Sequence, residues 1–241
     1  MAPQSRAPTT LLTRPAPQSA HFAALLRARF PGIRVVISPL IAPSFVQLIL
    51  PDRPWTALIF TSETAVISAQ RIAADGQPLP QLAFCVGDHT AEVASAAGFD
   101  AKSASGDATA LISLILSQNH KGPLLHLRGR ESRGDIANAL GSAGIETFEA
   151  ISYHQQSQSL SPEAVASLRA DAPIIPLFSP RTAEIFAREC SRIQLTAPLM
   201  IIAISAAVAA SAPPSTCIVT ATHPDAEAML DAIAGVMMSE P

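Results

Sequence analysis

Hydroxyls and small residues recur just past apolar runs along this chain, and residues so placed can hold anions. Thr61 and Ser62 follow Ala57-Leu-Ile-Phe60, and Gly87 and Thr90 follow Leu82-Ala-Phe-Cys-Val86. Ser179 follows Ile174-Ile-Pro-Leu-Phe178, and Ser205 follows Leu199-Met-Ile-Ile-Ala-Ile204. At a strand-to-helix turn such residues lie beside unpaired backbone N–H groups, where the helix dipole favours carboxylates. The plain alternative is capping, in which Ser62 or Ser179 satisfies amides of the next turn. One turn geometry serves both roles. Arg14, Arg128, Arg133 and Arg181 stand at or just past strand ends, where a guanidinium can grip a carboxylate bidentately. A solvated surface arginine is the ordinary alternative; Arg128, fixed before Gly129, is the best placed. His89 and His126 adjoin the same turns, His126 pointing into or across a sheet. No HxxxH or HxH spacing accompanies them, so no metal is expected.

The elements that must position these residues repeat. The strand-turn-helix pattern occurs in Thr56–Val66 with Leu82–Glu92, and again in Ile174–Glu184 with Leu199–Val208. In a parallel α/β sheet that junction lies at the carboxyl end of a strand, where ligands bind. Two such edges predict two lobes facing each other across a cleft. Residues 11–13 read as a short strand, and 17–29 as a helix with Phe22, Leu25, Leu26 and Arg29 at helical spacing. A strand at 33–37 is followed by Pro39 and Pro43, which suit a connection better than an interior strand. Helices are expected from the first turn to about Ala74, from Gly87 to about Gly98, and after the Ser105-Gly-Asp107 cap. A strand at 123–127, a helix at 132–142 and an alternating strand at 147–153 follow. A strand at 217–221 and an amphipathic helix at 225–237 close the chain. Leu12-Thr-Arg14-Pro15 corresponds to Leu127-Arg128-Gly129, and Pro31-Gly-Ile33 to Ala143-Gly-Ile145, which reads as an internal duplication.

Composition permits this. The chain has 241 residues, 49% hydrophobic and 15% charged, enough for one large or two small cores and unlike a disordered chain. Its net charge of −3 gives no basic field for nucleic acid, so a polyanion must be held by local arginines and helix ends. Cys85, Cys190 and Cys217 lie in or beside apolar runs without CxxC spacing and are expected to be buried, reduced thiols of a cytosolic protein. Residues 1–10 read as a loose tail rather than a secretory signal. Residues 195–224 lack charge, but the longest proline-free stretch, 199–212, is shorter than the ~20 residues of a spanning helix.

In order, a basic strand end, a Pro-rich connector, Phe-Thr-Ser, Val-Gly-x-x-Thr-Ala, Leu-Arg-Gly, Gly-Ile-x7-Tyr and a second Phe-Ser-Pro cover about Leu11 to Ile233. Each alone is common, but their order and spacing together resemble the uroporphyrinogen-III synthase family. The resemblance implies an α/β fold of two parallel-sheet lobes, duplicated and flavodoxin-like, joined by a two-stranded antiparallel connector. Lobe 1 would comprise 1–32 with 157–241, the connector strands 33–43 and 146–156, and lobe 2 residues 44–145. The implied reaction cyclises hydroxymethylbilane, a linear tetrapyrrole, to uroporphyrinogen III with inversion of ring D and loss of water. No cofactor, metal, nucleic acid or membrane is implied. A cytoplasmic monomer, receiving its substrate by transient hand-over from the preceding pathway enzyme, is the expected setting.

That chemistry asks little of side chains. The pyrrole nitrogen expels the hydroxyl as an azafulvene forms, and unguided closure gives the wrong isomer, so binding energy serves mainly orientation. Tyr153, the only tyrosine, aligns with the family's tyrosine at the end of the second connector and is the implied acid. A connector tyrosine that merely packs its ring is the alternative. The resemblance departs at Ile204-Ser-Ala-Ala-Val208, where the family has Gly followed by Thr residues; Ser205 remains. A non-catalytic two-lobed binder of a small anion is the competing reading. A generic nucleotide-binding α/β protein has less support, since GxGxxG and GxxxxGK[ST] are missing.

Overall fold

A computed structural model describes residues 8–131, 134–214 and 216–239. The chain begins β1 (Thr9–Leu12), α1 (Ala16–Arg29), β2 (Arg34–Ile37), β3 (Ile41–Phe45), β4 (Ala57–Phe60) and α2 (Glu63–Ala74). Then come β5 (Leu82–Cys85), α3 (Asp88–Ala96), β6 (Asp100–Ser103), α4 (Ala108–Ser117), β7 (Leu124–Gly129) and α5 (Ile136–Ser142). β8 (Thr147–Ser157), α6 (Pro162–Ala170), β9 (Ile174–Leu177) and α7 (Pro180–Arg192) follow. The last elements are β10 (Leu199–Ala203), α8 (Ala206–Ala210), β11 (Thr216–Thr220) and α9 (Ala226–Ser239). The fold is α/β with parallel sheets.

Two compact units divide the chain, Met1–Ala42 with Gln156–Pro241, and Pro43–Gln155. The first holds a five-stranded sheet in the order β11-β10-β9-β1-β2, with every pairing parallel. Leu11 and Leu12 of β1 are both fully buried and enter different cores, the first with Phe186 and Ile201, the second with Phe22 and Met229. Burial on both faces is why its inner strands β9 and β10 read as unbroken apolar runs. The other sheet runs β3-β8-β7-β4-β5-β6, parallel from β8 to β6. β4 alternates in the same way: Leu58 and Phe60 pack under α2, while Ala57 and Ile59 pack with Leu111 and Leu140.

Side-chain caps fix where several helices begin. Ser62, Asp107, Ser161 and Ser179 accept hydrogen bonds from the N–H groups of Ala65, Ala110, Ala164 and Thr182. The backbone N–H of Leu160 is satisfied differently, donating to Glu189 Oε2 at 2.8 Å, while the Arg192 guanidinium grips both oxygens of that carboxylate. The Arg192 bonds, helped by Leu160 N–H and against the opposing push of burial, hold the Glu189 carboxyl below its ordinary range. A carboxyl depressed on folding stabilises fully above its ordinary pKa of about 4.3, and that share is lost as pH falls through the folded value. Glu189→Ala strands the Leu160 donor and is expected to cost about 1–3 kcal/mol at pH 7. The cost should shrink in urea titrations below pH 4; an unchanged cost at acid pH would detach it from ionisation.

Some expectations need correction. Cys85 and Cys190 are buried, but Cys217 is exposed, because β11 is an edge strand paired only with β10. Burial pushes the Cys85 thiol up to about 11 and, with the Glu189 charge adding, Cys190 up to about 12. The stretch 33–43 is not uniform, since β2 is a sheet strand on β1 and only β3 lies beside β8. β6 and α6 have no counterpart in the sequence reading, and β8 runs on to Ser157. α5 starts at Ile136; the expected start at Ser132, like Arg133, lies outside the described residues.

Candidate functional site

Parallel order makes neighbours of residues distant in sequence. β7, β4 and β5 are adjacent, so their carboxyl ends bring Arg128 and Gly129, Thr61 and Ser62, and Gly87 to one edge of the six-stranded sheet. Thr90 follows in the first turn of α3, buried. This is the edge at which parallel α/β sheets take ligands.

Tyr153 reaches the same edge from β8. Its hydroxyl lies 2.8 Å from Ser62 Oγ, and only 7% of the residue is exposed. Ser62 Oγ also accepts from Ala65 N–H at 3.3 Å, so one hydroxyl caps α2 and meets the phenol. The ring packs obliquely on Phe45, centroids 6.4 Å apart. It joins the core of Leu125 and Leu127 because β8 slips register. Ile151 opposes Arg128 but Tyr153 opposes Gly129, leaving Ser152 as an extra residue. Such a bulge re-aims the side chains that follow it.

Gly87 is the N-cap of α3 in extended backbone, with open space where a side chain would project. Beside it Asp88 accepts from Ser103 Oγ at 2.6 Å and Ser105 Oγ at 2.7 Å, which hold its carboxyl below the usual range and tie the β6–α4 loop to α3. Thr61 is half-buried. His89 is exposed, 3.4 Å from Glu63.

Arg128 is engaged within its own sheet. Its Nη1 donates to Glu149 Oε2 at 2.7 Å, and His126 Nδ1 donates to Glu149 Oε1 at 3.1 Å. Burial lowers the His126 pKa, against the pull of Glu149. His126 is buried in the sheet, and among the described residues there is no group of three His, Cys, Asp or Glu that could hold a metal ion.

The five-stranded sheet carries the remaining candidates on its own carboxyl edge, after β1, β9 and β10. Arg14 stacks over the Phe178 ring at 4.1 Å, and Phe22 packs edge-on against the same ring. Burial lowers the Arg14 pKa, and no carboxylate among the described residues pairs with it. Ser179 donates to Thr182 Oγ1 and accepts from Thr182 N–H, a cap with both ends used. Ser205 is the N-cap of the five-residue α8 without a side-chain cap bond. Arg181 is exposed in the first turn of α7.

Sequence reasoning missed Glu149, Asp88, Phe45 and Phe178, which hold the site rather than announce it. Glu149 carried one signal, an acid opposite the alternating His126 and Arg128, legible only once β7 and β8 are paired. No helix among the described residues is long and apolar enough to cross a membrane.

A family model described as uroporphyrinogen-III synthase HemD matches residues 20–231. A crystal structure of uroporphyrinogen-III synthetase from Helicobacter pylori aligns at 18% identity over 95% of this chain and 99% of that one, TM-score 0.58. A mutant uroporphyrinogen III synthase from the extremely thermophilic bacterium Thermus thermophilus aligns at 16% identity over 97% and 100%, TM-score 0.47. No curated protein sequence matches.

Proposed function

The chain belongs to the uroporphyrinogen-III synthase family, and from that premise we propose that Tyr153 is the acid of its reaction, with Ser62 beside it. The protein is a cyclising lyase of tetrapyrrole biosynthesis, converting hydroxymethylbilane to uroporphyrinogen III with loss of water and inversion of ring D. The observation that carries the assignment is the 2.8 Å contact between the Tyr153 hydroxyl and Ser62 Oγ at the carboxyl edge of the sheet. With Ser62 able to receive or return a proton, the phenol can donate to the departing hydroxyl as the pyrrole nitrogen expels it. Orientation of the chain then decides which carbon of the last ring is attacked.

Carboxylates of the tetrapyrrole fall to the strand ends in this reading. Thr61, Gly87 and Thr90 line one sheet edge, where Gly129 leaves room for the Tyr153 ring, and Arg14, Ser179 and Ser205 line the other. Arg14 is the strongest single candidate, since its charge is half-buried on Phe178 with no carboxylate partner among the described residues. Arg128 is assigned to the same work, in competition with Glu149 for its Nη1.

We read the chain as a duplicated pair of flavodoxin-like lobes, 1–32 with 157–241 and 44–145, joined by antiparallel strands within 33–43 and 146–156. Val46 N–H donating to Ser152 O, and Gln158 N–H to Leu40 O, support the antiparallel sense. A monomer in the cytoplasm fits this reading, and a substrate that closes unaided to the wrong isomer favours direct hand-over from the enzyme that makes it.

Incubation with enzymatically made hydroxymethylbilane tests the activity. Isomer III is expected; recovery of isomer I alone would revive the non-catalytic binder, which the family match across 20–231 does not favour.

A further inference from the structure

We propose that Gly129 is a positioning residue, whose missing side chain seats the Tyr153 phenol against Ser62. The inference rests on the reading of Tyr153 as the acid, yet concerns a different residue and a property measurable without turnover. A Cβ built on Gly129 would fall 2.7 Å from Tyr153 Cε2, 2.8 Å from Cζ and 3.0 Å from the hydroxyl oxygen. Those distances lie inside van der Waals contact, so any side chain at 129 must displace the ring. Backbone conformation does not demand glycine here, because Gly129 is not among the glycines with positive φ. Space is what this glycine supplies.

Other groups define the position from which the ring would be displaced. The bulge at Ser152 turns Tyr153 onto the face of Leu127 and opposite Gly129. Phe45 bounds the ring on one side, and Ser62, fixed as the cap of α2, receives the hydroxyl. Arg130 N–H donates to Tyr153 O at 3.0 Å, holding the two backbones together just past the bulge, so β8 cannot easily retreat. A methyl group at 129 is therefore relieved mainly by swinging the phenol away from Ser62. Gly141 in α5 has nothing within 4 Å of its Cβ position and is the matched control.

Because Tyr153 is the only tyrosine, ring-labelled tyrosine gives one set of aromatic NMR resonances that reports this site alone. Gly129→Ala is expected to move them and Gly141→Ala to leave them in place. In turnover, Gly129→Ala should lower kcat about 10–100-fold, as much as Tyr153→Phe, with KM changed about twofold at most. In a Tyr153→Ala background, where the obstructed ring is gone, Gly129→Ala should have no further effect on kcat or KM. If Gly129→Ala alone folds poorly, the double variant should recover cooperative unfolding.

Unmoved resonances would overturn the proposal. So would an equal loss of activity from Gly129→Ala in both backgrounds, which would mean that residue 129 meets the substrate itself. A fully active Tyr153→Phe with displaced resonances in Gly129→Ala would instead remove the acid assignment and leave the placement standing.

Discussion

Tyr153→Phe is expected to lower kcat for hydroxymethylbilane closure about 10–100-fold while KM moves about twofold or less. A general acid commonly contributes about 10²–10⁴-fold, but this leaving group departs with help from the pyrrole nitrogen, so the phenol supplies only part. The phenyl ring of the variant still fills the space between Phe45 and Gly129, which keeps binding nearly unchanged. What disappears is the hydroxyl beside Ser62. Slower enzymatic closure also lets unguided closure compete, so the isomer I fraction should rise as kcat falls. A discontinuous coupled assay with separation of isomers I and III measures both. Wild-type kcat and isomer ratio would remove the phenol from the mechanism.

Phe60→Ala should destabilise the Pro43–Gln155 unit by about 3–5 kcal/mol, the usual cost of truncating a buried aromatic. Phe60 is fully buried at the last position of β4 and meets Phe99 edge-to-face, centroids 5.5 Å apart. Its strand is paired on both sides, with β5 and β7, so the sheet has little freedom to collapse into the void. Typical domains are stable by about 5–15 kcal/mol, which makes this loss a large share. The sole tryptophan, Trp55, packs against the same core and reports urea unfolding of this unit. A loss below about 1 kcal/mol would mean that the core closes over the cavity. Turnover should suffer too, since Phe60 O accepts from Val86 N–H at 3.1 Å and links the turns that carry Ser62 and Gly87.

Much of this was legible in the sequence because parallel strands buried on both faces leave a plain mark. Ala57–Phe60 and Ile174–Leu177 are unbroken apolar runs, and Ser62 and Ser179 announce the helices behind them. β6 escaped because Asp-Ala-Lys-Ser is a half-exposed edge strand, held by backbone pairing with β5 rather than by apolar side chains. The start of α6 did carry its signal, a Ser161 cap, Pro162 at the first position and Glu163 in the first turn. Arg128 shows the deeper limit. A guanidinium at a strand end suggested a ligand for carboxylates, but its Glu149 partner is 21 residues away and becomes a neighbour only through strand register. The phenol-to-serine contact spans 91 residues and was likewise out of reach.

The single extra residue at Ser152 makes the length of β8 matter as much as its composition. The bulge puts Ala150 and Tyr153, three residues apart, on one face, whereas residues three apart in a regular strand lie on opposite faces. Deleting Ser152 would regularise the strand and still leave the tyrosine opposite Gly129, whereas one more residue there would carry it past that glycine unless the bulge grew. When relatives are aligned, a one-residue gap in this segment therefore marks loss of the bulge with the tyrosine's placement unchanged. A chain of equal length that paired without the bulge would keep its tyrosine yet bring the residue before it opposite the glycine, and the phenol would leave the serine.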